Sequence, residues 1–194
     1  MRVRQTSAGA RSQRLPRLWL LSDERNDAVL EQALRALPRG SGFVFRHYHL
    51  ATDARRLRWR KLRRIAAARG HVVVLAGSAA LAREWGADGV YGGATTPRLS
   101  PGLMQIATAH GLRELASARR GGADAVMLSP VFSTRSHPGA ATLGPVRFRL
   151  IAARSDLPVI ALGGMTPATA RRLRWVHWAA IDGLSTAPGR RSKA

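Results

Sequence analysis

Short apolar segments alternate with amphipathic helical segments along almost the whole chain, and this alternation constrains the fold more than any other feature. Helical patterns occupy 23–37, 55–68, 78–85, 111–120, 145–153 and 167–174. Eight apolar segments have the length of buried strands. They are 18–22, 42–48, 71–76, 87–91, 104–107, 125–128, 158–162 and 178–181. This order predicts a parallel α/β fold. The strand count fits a closed (β/α)8 barrel, and periodicity alone also allows an open doubly wound sheet.

Length and composition predict one domain. A chain of 194 residues can bury a substantial core. We expect a disordered basic tail at 1–16, a single domain at 17–187 and a frayed end at 188–194. The chain has no Cys, as expected of a protein in a reducing cytosol, so a cytoplasmic location is the expectation. No apolar run approaches the length of a membrane span.

The net charge of +21 raises the question of an anionic partner. All but two of the 32 basic residues are Arg, and they are spread over nearly every segment. The densest run, at 54–64, contains Trp59 and could bind nucleic acid. The favoured interpretation is a helix with a solvated Arg-rich face and Leu57, Leu62 and Ile65 buried. Nucleic-acid binding is therefore a minority hypothesis.

A polar loop follows the predicted strand at 125–128. It contains Ser129, Ser133, Thr134, Arg135, Ser136 and His137. Polar groups beyond the carboxyl end of such a strand are where parallel α/β folds place ligand contacts. Hydroxyls beside a fixed cation, with no acid among them, suit an anion. We interpret this loop as a ligand-binding loop.

A second candidate anion site is the glycine pair Gly163 and Gly164. The pair follows an apolar strand and precedes Thr166 and Pro167, which suit the first positions of a helix. Backbone N–H groups at such a turn, assisted by the helix dipole, can bind phosphate. Late strands of (β/α)8 barrels often carry phosphate sites, which strengthens the assignment.

Two motifs resemble the thiamine phosphate synthase family, which includes a thiazole tautomerase branch. The first is SPVFSTRSHPGAATLG at 129–144, and the second is LPVIALGGMTPATA at 157–170. Their internal order and separation both agree with the family pattern. ADGV at 87–90 and AH at 109–110 extend the resemblance. It implies the closed (β/α)8 barrel, which is the fold we predict.

The resemblance also implies a reaction. Family members join hydroxymethylpyrimidine diphosphate to hydroxyethylthiazole phosphate and release pyrophosphate, using Mg2+. The positions that match imply substrate contacts from Thr108, Thr134, Arg135, Ser136, Gly163, Gly164 and Ser185. Arg46 and His137 occupy positions of catalytic cations, with His137 standing where the family has Lys.

Several family positions are altered. Ala76 and Gly77 replace the Asn-Asp pair that binds the metal, and no acid occurs at 91–96. Mg2+ usually requires a carboxylate beside the phosphates, so Mg2+ is implied by the family and its expected ligands are missing. Asp23 is the one acid placed to substitute, and we interpret it as a helix cap. Pro130 stands where the tautomerase branch has its catalytic His, which argues against tautomerase chemistry.

Three functions follow from these residues. The first is a thiamine phosphate synthase-like activity that is weakened or altered, with thiazole phosphate and pyrimidine diphosphate as small-molecule partners. The second is non-catalytic or regulatory binding of a phosphate ester. Nucleic-acid binding through 54–64 is the third.

Overall fold

The chain folds into a closed barrel of eight parallel strands. The structure is a computed structural model that describes residues 15–94, 102–135, 139 and 141–185. Strands β1 to β8 pair in sequence order and β8 pairs with β1. Their bounds are Leu18–Leu21, Gly42–Phe45, Val72–Ala76, Gly89–Gly93, Met104–Ala109, Ala125–Leu128, Val159–Ala161 and Trp178–Ala180. The (β/α)8 fold class predicted above is therefore confirmed.

Six α-helices, α1 to α6, lie between the strands over the described residues. They span Leu30–Ala36, Thr52–Ala68, Ala79–Glu84, Leu112–Arg120, Gly144–Ala152 and Pro167–Leu173. Short 3-10 turns at Glu24–Val29 and Asp182–Leu184 complete the pattern. No helix in the described part of the chain is long and apolar enough to cross a membrane.

The core has an inner and an outer part. Inward-facing residues of the strands, such as Trp19, Ile106 and Met127, fill the barrel. Two outer clusters lie between the strands and the helices, one around Phe45 and Trp59 and one around Phe148. Gly42 on β2 leaves space for the Trp19 ring, because a Cβ at this position would lie 2.2 Å from the ring carbons.

Two aspartates fix the register of neighbouring strands. Asp88 precedes β4, and its carboxylate accepts from the Val73 N–H at 2.7 Å. Asp124 precedes β6 and accepts from the Gln105 N–H at 2.9 Å. The backbone N–H of each Asp donates to the carbonyl oxygen of the same partner at 2.8 Å. The repeated Ala-Asp pair therefore holds β3 to β4 and β5 to β6.

Leu15 and Pro16, the first residues that the structure describes, contact the barrel. Leu15 is buried, and the Pro16 carbonyl oxygen accepts from the Trp19 indole N–H at 2.8 Å. These residues lie just before the predicted start of the domain at 17. The rest of the tail predicted at 1–16, and the segment predicted at 188–194, lie outside the described residues.

The helix predicted at 23–37 is divided in the structure. A 3-10 turn, Glu24–Val29, comes first and α1 follows it. Asp23 caps this turn, as predicted, and its side chain accepts from the Arg25 N–H. Asn26 is buried in the turn and donates to the carbonyl oxygens of Leu21 and Ile181. These two bonds hold the turn against the barrel rim.

The basic helix α2 buries the predicted face except at Leu57, and Ile65 packs against the core while partly buried. Leu62 is buried as expected, together with Trp59 and Ala66, but Leu57 is 72% exposed. The prediction for Leu57 was wrong because successive residues of an α-helix are rotated by about 100°, so residues two apart point in nearly opposite directions. Once Trp59 faces the core, Leu57 must face solvent.

We predict that Asp124→Ala lowers the free energy of unfolding by about 1–3 kcal/mol. The Gln105 N–H would lose its carboxylate partner, and Gln105 is too buried for water to replace it. Urea denaturation measures the change. Asp156→Ala is the control, because Asp156 forms only an exposed ion pair with Arg119, and we expect a loss under about 1 kcal/mol. Equal losses would contradict a structural role for Asp124.

Candidate functional site

Two adjoining cavities open at the carboxyl ends of the barrel strands. The smaller one, here called the cup, has a volume of about 240 Å3 and lies between the ends of β7 and β8. The larger one, here called the main cavity, has a volume of about 400 Å3. Thr134, Leu162, Gly163 and Ile181 line both cavities, so the two cavities adjoin at these residues.

The Gly163–Gly164 turn lines the cup. Both glycines have positive φ, +94° at Gly163 and +62° at Gly164, which suits glycine. Within the described residues, neither N–H has a hydrogen-bond partner. Unpaired backbone donors at the carboxyl ends of late barrel strands are suited to bind phosphate.

The glycine turn lies directly against the loop that follows β6. A Cβ at Gly163 would lie 2.6 Å from the Pro130 Cα, and one at Gly164 would lie 2.4 Å from the Ser133 oxygen. Bonds from Val131 N to Leu162 O at 2.9 Å and from Phe132 N to Gly163 O at 3.1 Å join the two segments. Larger residues are thus excluded by space as well as by conformation.

The helix after this turn contributes less than the sequence indicated. Thr166 caps α6, and Thr166 and Thr169 each accept the other's backbone N–H at 3.2 and 2.7 Å. Two backbone donors at this end are therefore already used, and α6 has only seven residues. The donors that face the cup belong to the glycine turn.

Thr134 and Arg135 bring the predicted loop to the cup. Both line it, and Arg135 is exposed without an ion-pair partner among the described residues. Asp182 also lines the cup, and its carboxylate lies 3.8 Å from the Arg25 guanidinium. The predicted contacts Ser136 and His137 lie outside the described residues.

Ser185 differs from the other predicted contacts. Its hydroxyl donates to the Ile181 carbonyl oxygen and accepts from the Asn26 carboxamide at 3.0 Å. The β8 side of the cup is lined by 180–183, so Ser185 is two residues beyond it. The structure therefore places Ser185 beside the junction of β1 and β8.

Arg46 lines the main cavity together with Thr108. The Arg46 guanidinium donates to the Ser22 carbonyl oxygen at 2.9 Å and to the Asp23 carboxylate. Thr108 donates to the Gly92 carbonyl oxygen at 3.4 Å. Arg46, Thr108, Thr134 and Gly163 thus surround one space, although Asp23 already balances the Arg46 charge.

Two further residues, Tyr91 and His110, line the main cavity and were not predicted as site residues from the sequence. Burial raises the pKa of the Tyr91 hydroxyl to about 12, so this hydroxyl stays protonated and can donate a hydrogen bond. The His110 Nδ1 lies 2.8 Å from the Ser129 carbonyl oxygen. Their sequence signal was weak: Tyr91 ends a predicted strand, and His110 belongs to the short AH match.

The family of the chain follows from comparison with known proteins. A family model described as "Thiamine monophosphate synthase" matches residues 18–185, which include every strand and both cavities. The chain belongs to the thiamine monophosphate synthase family. The resemblance in the two motifs is thus confirmed.

Curated relatives and a solved structure agree with the family. The bifunctional thiamine biosynthesis protein ThiM/ThiE of Symbiobacterium thermophilum is 32% identical over 82% of this chain and 34% of its own length. The thiamine-phosphate synthase of Chloroflexus aurantiacus is 34% identical over 51% of this chain and 48% of its own. The chain thus spans less than half the length of these curated relatives.

The likeness to solved structures concerns the fold alone. Thiamine phosphate pyrophosphorylase from Pyrococcus furiosus has a TM-score of 0.73 at 22% identity, with 90% of this chain and 89% of that chain covered. Other (β/α)8 structures with different names, such as FabK from Thermotoga maritima, have comparable scores, with 0.69 at 18% identity. Function must therefore be argued from the site.

The residues at the expected metal positions do not fit Mg2+. The Arg55 guanidinium donates to the Ala76 carbonyl oxygen at 2.6 Å, at the strand end where the family has a metal-binding acid. Asp23, the one substitute acid, is paired with Arg46 and Arg25. Within the described residues, no group of three His or acidic side chains could hold a metal ion. A guanidinium and a dication repel each other, which disfavours Mg2+ at this strand end.

A chain of hydrogen bonds connects the backbone N–H of Arg46 to Ser22, His47 and Asp27. The Ser22 hydroxyl accepts from the Arg46 N–H at 2.7 Å and contacts His47 Nδ1 at 2.7 Å. His47 Nε2 lies 2.7 Å from the Asp27 carboxylate. Burial lowers the pKa of His47, against the opposing effect of Asp27, so the ring is neutral at pH 7. This chain adds no positive charge to the main cavity.

The basic run at 54–64 is largely engaged within the protein. Arg58 pairs with Asp27 and Glu31, Lys61 pairs with Glu31, and Arg56 pairs with Glu84. Trp59 is 1% exposed, so it cannot stack on a base. These contacts favour the solvated-face interpretation over nucleic-acid binding.

We predict that Asp23→Asn raises the affinity for inorganic pyrophosphate roughly tenfold, because the Arg46 charge is no longer neutralised. Asn retains capping ability, which limits the effect on folding. Calorimetric titration measures the affinity. Asp53→Asn, on the exposed first turn of α2, is the charge-matched control and should change it little. Equal effects of both substitutions would show that only net charge matters.

Proposed function

We propose that this family member binds a phosphate monoester in the cup with its organic part in the main cavity, and that it retains a weakened thiamine phosphate synthase activity. The observation that carries the proposal is that the two cavities adjoin at the glycine turn and share four lining residues. Hydroxyethylthiazole phosphate is the monoester that family membership suggests. Hydroxymethylpyrimidine diphosphate is the suggested second substrate.

The cup supplies the phosphate contacts. Gly163 and Gly164 offer backbone donors, Thr134 offers a hydroxyl, and Arg135 offers a fixed positive charge. Hydrogen bonds from such groups to an ionised oxygen are stronger than bonds between neutral groups. A phosphate in this position leaves the ester's carbon chain directed past Leu162 and Ile181 into the main cavity.

The weakness of the proposed coupling follows from the opposite side of the main cavity. Loss of diphosphate from the pyrimidine requires positive charge near the leaving group. Arg46 is the cation at this position, and the Asp23 carboxylate compensates it. We therefore expect slow coupling.

A non-catalytic phosphate-ester binder is the second candidate function. It is favoured by the Arg55 guanidinium at the end of β3, where the family has metal ligands. Under this alternative the cup and main cavity bind the same monoester, and no product forms.

The phosphate placement predicts different effects for three substitutions. Arg135→Ala and Thr134→Ala should each weaken binding of thiazole phosphate about ten- to a hundredfold, from the loss of roughly 1.5–3 kcal/mol per charge-assisted bond. Arg46→Ala should change monophosphate affinity little and should weaken pyrophosphate binding. Calorimetric titration of each ligand measures these affinities.

Two further variants complete this experiment. Gly164→Val should abolish binding, because its side chain would displace the loop at Ser133, and thermal denaturation shows whether it folds. Arg172→Ala removes an exposed Arg of α6 and should leave both affinities unchanged. If Arg46→Ala weakens binding of both ligands equally while Arg135→Ala weakens binding of neither, the proposed position of the phosphate in the cup is wrong.

Coupling is tested by incubating the protein with both substrates and measuring thiamine phosphate by chromatography. We expect slow product formation that changes little when Mg2+ is added or EDTA is present, since the metal positions carry no carboxylate. Loss of product in EDTA would contradict this placement of charges. Product at the level of heat-inactivated protein would support the non-catalytic binder.

A further inference from the structure

The hydrogen-bond partner of His110 fixes which ring nitrogen carries the proton. Nδ1 lies 2.8 Å from the Ser129 carbonyl oxygen, and a carbonyl oxygen can only accept. Nδ1 must therefore donate, and in the neutral ring the lone pair lies on Nε2. The Glu114 carboxylate accepts the His110 backbone N–H and so holds this residue at the end of β5.

The Nε2 atom is available to a ligand. His110 lines the main cavity, and its Nε2 has no hydrogen-bond partner among the described residues. The Ser129 hydroxyl lies 3.4 Å from Nδ1, so it is near the ring nitrogen that already donates. An imidazole nitrogen with a free lone pair is a good acceptor for an N–H or O–H group.

The position of His110 relative to the cup identifies the part of the ligand that it meets. Strands β5 and β7 are two neighbours apart in the barrel, which corresponds to roughly 10 Å between their ends. A phosphate at the Gly163–Gly164 turn therefore lies well away from His110. In the proposed function this leaves His110 beside the part of the main cavity that is remote from the monoester's phosphate, where the second substrate meets the monoester.

We propose that His110 determines specificity by accepting a hydrogen bond from an exocyclic amino group of a heterocycle in the main cavity. The aminopyrimidine half of the coupling reaction has such a group, so the inference rests on the proposed function and names a contact for its second substrate. A methyl group in place of the amino group would leave Nε2 without a partner. Such a loss should weaken binding about two- to tenfold.

The test compares two pyrimidine alcohols that differ in one group. The probes are 4-amino-5-hydroxymethyl-2-methylpyrimidine and its 4-methyl analogue, titrated by NMR in the presence of inorganic phosphate. The wild-type protein should bind the amino compound about two- to tenfold more tightly. His110→Phe should reduce this ratio to about one, and His110→Gln, which restores an acceptor oxygen, should recover most of it.

A matched control separates recognition from a structural role. His177 also places Nδ1 near a carbonyl oxygen, that of Pro16 at 3.2 Å, but at the opposite end of the barrel. His177→Gln should leave the ratio unchanged. A ratio that persists in His110→Phe, or that falls equally in His177→Gln, would overturn the proposal.

The phosphate site is tested separately in the same samples. Inorganic phosphate should bind wild type and His110→Phe equally, and it should bind Arg135→Ala more weakly. Neither pyrimidine probe carries a phosphate, so the two measurements are independent. Equal phosphate affinity of wild type and Arg135→Ala would contradict the proposed phosphate site in the cup. The proposal for His110 is decided by the ratio of the affinities for the amino and methyl compounds.

Discussion

Contact between two backbone segments, with no space for side chains between them, determines the geometry of the candidate site. The Gly163–Gly164 turn lies against Pro130 and Ser133 so closely that a Cβ at either glycine would overlap the opposite segment. The carbonyl oxygens of Leu162 and Gly163 accept from this loop. Across the part of the chain that the structure describes, the N–H groups of both glycines have no hydrogen-bond partner, so they are available to a ligand. The same contact places Thr134 and Arg135 at the edge of the cup.

Charge is distributed unevenly around the barrel mouth. On the β6–β7 side, Arg135 has no ion-pair partner among the described residues, so its charge is available to a ligand. On the β1–β2 side, Arg46 shares the Asp23 carboxylate with Arg25, so its charge is partly compensated, and burial lowers the pKa of His47 and favours the neutral ring. In the proposed function, a monophosphate therefore binds in the cup, whereas coupling depends on the partly compensated Arg46 charge.

The sequence predicted the parts of the structure that depend on local patterns. Each of the eight strands begins or ends within three residues of its predicted bounds, since continuous apolar runs mark buried strands. Contacts between residues far apart in the chain do not follow from local patterns. Asn26 bonds to Ser185, 159 residues away, and this bond engages a hydroxyl that family resemblance had assigned to substrate. His110 was missed for the same reason, because its tautomer depends on the carbonyl oxygen of Ser129.

The Arg55 guanidinium lies at the end of β3, where the family resemblance predicted metal ligands, and gives this end of the barrel a positive charge. The Arg55 guanidinium lies 5.6–5.8 Å from the ring centres of Phe45, Tyr48 and Trp85 and donates to the carbonyl oxygens of Arg46 and Ala76. Ring faces and carbonyl oxygens both stabilise a cation, so this side chain is held in place. The Arg55 charge at the ends of β2 and β3 therefore stabilises the protein's own backbone, whereas the proposed monoester and aminopyrimidine contacts lie on the β5 to β8 side.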